Sequence, residues 1–493
     1  MIFDFDPNSL ADYRKFLAVR RSPIYRFVGT SAEVPDEYAA SILGGQTREL
    51  DVGDYSPSPF LFDYQRDISR LAIAKKRFAG FIECGLGKTL IMMEFLRHIA
   101  GRVSDRPLLI ISPLMVIPQT LAESETFYPG FGASIQKIEG RNLQEFLDSG
   151  HGIGITNYES LTQPLRRGRL SSLVVDESSM LKSHYGKWGN RIIEIGAGLE
   201  WVLALTGTPA PNDRIEYANH AVLLGACRTV NEFLARYFVN RGQTQNRWEL
   251  KPYAIGPFYR DLSHWSIFVS NPATYGWKDN AATLPPIITH IHQVSLTKEQ
   301  RLASQGITGS LFVSDVGGIG RRAKLGQLAK GKDSTTNKTK FISDLVGQWS
   351  AKESSLVWCL YNDEQSRLSK ALGDVGNISG DTPLAKRMEL IDAFKSGQLK
   401  TLITKAKLLG FGLNLQRATR QVFSGLQDSY ELYWQAIKRS NRVGSTVPLN
   451  VHIPVTELEE PMVQNVLNKA SRVQQDTEAQ EKIFKEWSWP TIV

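Results

Sequence analysis

From about residue 60 onward, short apolar runs alternate with amphipathic stretches. Residues 66–77 and Leu90–Ala100 space their apolar side chains as helices do. Brief aliphatic runs predict strands at Ala79–Glu83, Leu108–Ser112, Ile153–Thr156, Leu173–Val175 and Val202–Leu205. Alternating strands and helices imply a parallel sheet covered on both faces. A second series begins near Leu356. It has strands at Leu356–Leu360, Thr401–Thr404, Gln421–Phe423 and Leu449–Ile453, and a helix over Pro383–Lys395. The expected fold is α/β, with two tandem domains of parallel sheet flanked by helices. Polar motifs fall just after the apolar runs, at the carboxyl ends of strands, where open α/β sheets bind ligands.

The remaining segments break this rhythm. Residues 1–58 form an N-terminal extension in which Tyr13–Arg21 predicts a basic amphipathic helix. The first domain is expected over 59–270. Residues 214–285 are rich in Arg and in aromatics (Phe233, Tyr237, Trp248, Tyr253, Phe258, Tyr259, Trp265), either a wedge or a brace. Residues 271–340 read as a linker and basic segment. There Arg321, Arg322, Lys324, Lys330, Lys332, Lys338 and Lys340 face only Asp333, as a solvated loop or a phosphate-contacting rim. The second domain spans 341–456, and 457–493 is a charged helical brace.

Composition narrows the picture modestly. A chain of 493 residues is long enough for two to four domains. A net charge of +8 permits a polyanionic partner without requiring one. Cys84, Cys227 and Cys359 are too scattered for a disulfide framework or zinc cluster. His290 and His292 share a strand face, yet no third or fourth metal ligand accompanies them in the pattern. The N-terminus lacks a signal-peptide pattern, and the most apolar stretch, 107–118, is too short for a bilayer. These features lead to the expectation of a cytoplasmic protein without membrane partners.

The chemistry concentrates in two places. Glu83–Thr89 reads ECGLGKT, ending in the Gly-Lys-Thr of a phosphate-binding loop. A helix N-terminus offers free N–H groups to phosphate oxygens. Lys88 would reach the β- and γ-phosphates, and the Thr89 hydroxyl would hold Mg2+. The apolar run before Asp176 and Glu177 ends in two acids: one for the same metal ion, one to polarise the attacking water.

The order of motifs resembles the Snf2-like branch of superfamily 2 helicases. Tyr64-Gln65 stands in the place of the adenine-reading Q motif, and ECGLGKT in that of motif I. Ser112-Pro113 fits motif Ia, Ile155–Glu159 (ITNYE) motif Ib, Val174–Ser179 (VVDESS) motif II and Leu205–Ala210 (LTGTPA) motif III. Gly410–Gln416 (GFGLNLQ) resembles motif V, and Gln435–Gly444 motif VI. DESSMLK, LTGTPAPN and GFGLNLQ are phrases shared with compact helicases carried by bacteriophages.

The resemblance implies two RecA-like domains with ATP and Mg2+ between them. Lys88, Asp176, Glu177, Gln435, Arg439 and Arg442 would be catalytic, one or both of the arginines as fingers on the γ-phosphate. Tyr64, Gln65, Glu83, Cys84, Gly85, Leu86, Gly87, Lys88, Thr89 and Gly412 would bind the nucleotide, with Thr89 and Asp176 on the metal. Ser112, Pro113, Thr156, Asn157, Asn414 and Gln416 would contact nucleic acid. The implied activity is that of a monomeric ATP-driven translocase on duplex or branched DNA, serving replication, recombination or repair. An unwinding helicase on DNA or RNA, or the motor subunit of a defence or restriction assembly, is the alternative. Ser179 replaces the His that often joins motif II to motif III and could donate a similar hydrogen bond.

Overall fold

The structure is a computed structural model. It describes residues 1–22, 25–34, 39, 42, 51–149, 151–161, 163–182, 186–211, 213–242, 248–278, 284–308, 318–330, 336–349, 353–409, 413–426, 429–442 and 445–487. The chain divides into two compact units, residues 1–282 with 474–493, and residues 283–473.

The first unit is built on a seven-stranded sheet whose neighbouring strands all run parallel. Ahead of it lies a small antiparallel sheet of β1 (Ile2–Asp4), β2 (Arg26–Val28) and β3 (Ser31–Glu33), with helix α1 (Leu10–Arg21). The large sheet contains β4 (Arg77–Ile82), β5 (Leu108–Ile111), β6 (Ile135–Lys137), β7 (Ile153–Thr156), β8 (Ser172–Asp176) and β9 (Trp201–Thr206). A hairpin, β10 (Phe238–Asn240) with β11 (Trp248–Leu250), precedes β12 (Ser266–Val269), and the sheet order is β12-β4-β9-β8-β5-β7-β6. Leu109, Ile110, Val174, Val175 and Leu203 have no solvent exposure, as strands covered on both faces require.

In residues 214–278 most of the aromatic side chains pack inside this unit, while Tyr253 is 79% exposed. Phe233, Tyr237, Phe258, Tyr259 and Trp265 are buried, and ring contacts link Phe258 to Tyr217, Phe233, Tyr237 and Phe238. The end of the C-terminal helix Glu460–Trp487 also serves this unit: Phe484 packs on Phe268 at 5.2 Å, and Glu481 accepts a hydrogen bond from the Ser270 amide at 2.6 Å.

The second unit holds a six-stranded parallel sheet ordered β13-β18-β17-β14-β16-β15. Its strands are β13 (Ile287–Gln293), β14 (Ser354–Cys359), β15 (Gly376–Asn377), β16 (Thr401–Lys405), β17 (Ala418–Phe423) and β18 (Leu449–Val455). Residues 271–340 are therefore more than a linker: β13 pairs with β18 over seven residues, and helices Lys298–Thr308 and Gly318–Ala329 follow it.

Two residues of the basic segment also depart from both expectations, while Lys324 and Lys340 are exposed. Lys330 and Lys338 are buried, their ammonium groups 2.8 and 2.7 Å from the two oxygens of Glu459. Lys332 lies outside the described residues, as do the side chains of Arg321 and Arg322. His290 and His292 meet a third imidazole, His452, in near-parallel stacks at 4.7 and 5.3 Å. His292 Nε2 lies 3.0 Å from His452 Nδ1, a ring-to-ring hydrogen bond, and among the described residues no group of three or more His, Cys, Asp or Glu could hold a metal ion.

Candidate active site

The phosphate loop joins β4 to helix α2 (Lys88–Ala100). Gly85 and Gly87 take φ of +89° and +76°, so the turn needs residues tolerant of left-handed backbone. At Gly87 space decides as well: a Cβ would lie 2.2 Å from the Gln65 amide nitrogen. Lys88 donates to the Ile82 carbonyl at 3.1 Å, and Glu83 accepts from the Cys84 amide at 2.7 Å.

Tyr64 and Gln65 brace this loop from beneath. The Tyr64 hydroxyl and the Gln65 amide both donate to the Leu86 carbonyl, at 3.0 and 3.2 Å, and Gln65 Oε1 accepts from the Phe62 amide. Both side chains are buried, and the Gln65 amide also donates to the Tyr64 hydroxyl at 3.3 Å.

Beside the loop stand β9 and then β8, which ends in the two acids. Asp176 and Glu177 are 7% and 6% exposed, so two like charges share a nearly dry edge. Burial and the Glu177 carboxylate push the Asp176 carboxyl up to about 6, against the opposing pull of the Ser112 hydroxyl and Lys88. Glu177 has φ +49° and ψ +51°, left-handed backbone that a side chain adopts only under constraint. Thr206, at the end of β9, donates to Glu177 Oε2 at 3.3 Å and accepts from the Thr208 amide at 3.2 Å. This hydroxyl is the link between motifs II and III. Ser179 does not supply it: its buried hydroxyl has no hydrogen-bond partner among the described residues, while Ser178 contacts His220 at 2.9 Å. Burial lowers the His220 imidazole to about 4.

Three expected nucleic-acid residues have other employment. Ser112 is fully buried and donates to Asp176 Oδ2 at 2.8 Å. Pro113 is buried beside it. Thr156 is 1% exposed and donates to the Ile138 carbonyl at 2.8 Å. These residues end apolar central strands, so their side chains fall inside the sheet's edge. Asn157 and Gln416 are half-buried and Asn414 is exposed. Asn414 and Gln416 bond each other at 3.1 Å.

In the second unit, Gln435 is buried, and its Oε1 lacks a hydrogen-bond partner among the described residues. Arg439 is not presented as a finger. It is fully buried and donates to the carbonyls of Gln435 at 2.9 Å and Leu413 at 3.4 Å, tying motif VI to motif V. Arg442 is half-buried, with Nε on the Lys438 carbonyl at 3.1 Å. Gly412 lies outside the described residues.

The donor set suits magnesium nucleotide. A buried acid pair, in which Asp176 has raised proton affinity, beside a glycine-shaped loop ending in Lys88-Thr89, is a place where a divalent cation would relieve like-charge repulsion.

Fold and site together define a two-sheet ATPase core of the superfamily 2 helicase class. Residues 80–247 match the SNF2-related domain, and residues 337–444 the helicase conserved C-terminal domain. In that order along one chain, the two place it in the Snf2-like branch of superfamily 2, among ATP-hydrolysing enzymes. Relatives include YwqA of Bacillus subtilis, designated an ATP-dependent helicase/translocase, 24% identical over 77% of this chain and 44% of its own length. The ATP-dependent DNA helicase DDM1 of Arabidopsis thaliana is 22% identical over 75% of this chain and 55% of its own. The DNA annealing helicase and endonuclease ZRANB3 of Bos taurus is 22% identical over 79% and 38%. The chain thus spans about half the length of such relatives, or less. A solved Sulfolobus solfataricus SWI2/SNF2 ATPase core in complex with dsDNA aligns with 89% of this chain and 98% of its own, at 20% identity and a TM-score of 0.40.

Proposed function

We propose that this chain is an ATP-dependent DNA translocase that moves along or remodels duplex or branched DNA in replication, recombination or repair. One observation carries the reading: the buried Asp176–Glu177 pair on the same sheet edge as the Lys88–Thr89 loop, with Ser112 and Thr206 holding one acid each. That arrangement has the parts of a water-activating phosphoryl-transfer site. Lys88 binds the β- and γ-phosphates, and Glu177 orients the attacking water and takes its proton. Thr89 and Asp176 would hold Mg2+, which supplies charge neutralisation on the phosphates. Arg442 acts as the arginine finger, Arg439 holds the backbone behind it, and Gln435 orients water or phosphate.

DNA contact falls to Asn157, Asn414 and Gln416, whose amides suit phosphate oxygens and read no base. The names of the relatives support a DNA substrate. The chain works as a monomeric motor in the cytoplasm, that of a bacterial host if it is one of the compact bacteriophage-borne helicases it resembles. Among the described residues, no helix is long and apolar enough to cross a membrane.

Triplex displacement tests this reading. ATP-dependent release of a third strand from duplex DNA is expected, without separation of the duplex. Separation of forked strands without triplex release would make the chain an unwinding helicase. Activity on RNA alone would replace the substrate.

A further inference from the structure

We propose that Tyr158 is a positioning residue that couples nucleic-acid contact at the end of β7 to the water-orienting Glu177, an inference that rests on reading this chain as a DNA-driven ATPase. Tyr158 follows Asn157 directly and opens the short turn Tyr158–Ser160. It is 1% exposed. Its hydroxyl lies 2.6 Å from the Asp176 carbonyl and 3.2 Å from the Glu177 carbonyl. A phenol has one proton, and the shorter contact takes it. Burial first, and then the carboxylates of Asp176, Glu177 and Glu159, hold that phenol in its donating form.

The position matters because of what lies on the other side of the bond. Glu177 and Lys76 are the only non-glycine residues with positive φ among those described. Glu177 leaves the strand in a conformation that persists only where its surroundings impose it. On its side chain, the Thr206 bond at 3.3 Å is long, while the 2.6 Å Tyr158 bond grips the peptide just before Glu177. Asn157, whose side chain is tied to Ser160, and Tyr158 belong to one turn. A DNA phosphate that shifts Asn157 therefore moves the donor that fixes the motif II backbone. The Tyr158 ring also packs on Trp188 at 5.8 Å, so loss of the hydroxyl alone leaves the ring seated.

The test is steady-state ATP hydrolysis by the full chain and by Tyr158→Phe, with and without duplex DNA. The expected result is an approximately tenfold loss of DNA-stimulated kcat, the scale of one lost buried hydrogen bond. KM for ATP and the half-saturating DNA concentration should stay within about twofold of the wild-type values, and the ratio of stimulated to unstimulated rate should fall. 4-Aminophenylalanine at position 158 restores a donor and should restore much of the stimulation. Full stimulation in Tyr158→Phe, with a stimulated parent, overturns the coupling and leaves the ATPase reading intact. A parent that no DNA stimulates overturns both. Should Tyr158→Phe fail to fold, amide exchange in the unaltered chain decides: DNA should slow exchange at Glu177–Met180, and unchanged exchange there contradicts the proposal.

Discussion

Each unit of this chain buries a cluster of charge, and the two clusters are built on opposite principles. In the first unit, Asp176 and Glu177 are neighbours of like sign; burial and that neighbour push Asp176 up to about 6, and Glu177 sits in left-handed backbone. In the second, one carboxylate lies between two ammonium groups. Burial raises Glu459, but Lys338 and Lys330 outweigh it and hold it at about 2. The second cluster is satisfied internally and joins helix Asn337–Gly347 to the turn after β18. The first sets two acids of like sign side by side, with Lys88 as the opposing charge. Depth of burial does not separate a site from a brace here; whether the buried charges face like or opposite neighbours does.

The largest way to break that contrast is to disable the cluster of like charges. Lys88→Ala and Glu177→Gln should each reduce ATP turnover by about 10³-fold or more while the unfolding midpoint changes little. Arg442→Ala should lower kcat by roughly 10³-fold, and Arg439→Ala should lower stability as well, because its guanidinium holds two buried carbonyls. Equal kcat losses with unchanged stability in both variants would mean that Arg439 is also a finger.

The cluster of opposite charges should answer in stability. Glu459→Gln strands two buried ammonium groups and should cost about 3–5 kcal/mol in denaturant unfolding. Because Glu459 is depressed from the ordinary carboxylate range to about 2, its contribution is complete above about pH 5 and fades as pH falls toward 2. The gap between the parent and Glu459→Gln, measured by unfolding from pH 7 down to 3, should therefore narrow with acid. A constant gap would show that the charge pairs contribute nothing. The smallest effect is expected at Ser179→Ala. It removes a buried hydroxyl with no hydrogen-bond partner among the described residues, so turnover and stability should stay near the parent's, within about 0.5 kcal/mol.

The same comparison explains what could be read in the sequence. The phosphate loop and the acid pair are contiguous runs beside apolar strands, so residue type and spacing are enough to find them. The supports are not contiguous. Ser112 reaches Asp176 across 64 positions, His220 reaches Ser178 across 42, and Lys338 reaches Glu459 across 121. Ser112 and Thr156 resemble phosphate contacts in sequence because they end strands. Their burial follows from those strands being central, which only the strand order reveals. Two edge strands escaped for a related reason. β6 keeps one buried residue of three, and β13 is largely polar because one side meets solvent.

The most direct measurement is ATP hydrolysis by the full chain with no nucleic acid, single-stranded DNA, duplex DNA, a four-way junction and RNA, each beside Lys88→Ala. The account predicts strong stimulation by duplex or junction DNA that vanishes in Lys88→Ala. Turnover that is indifferent to all of these, or that survives Lys88→Ala, would contradict it.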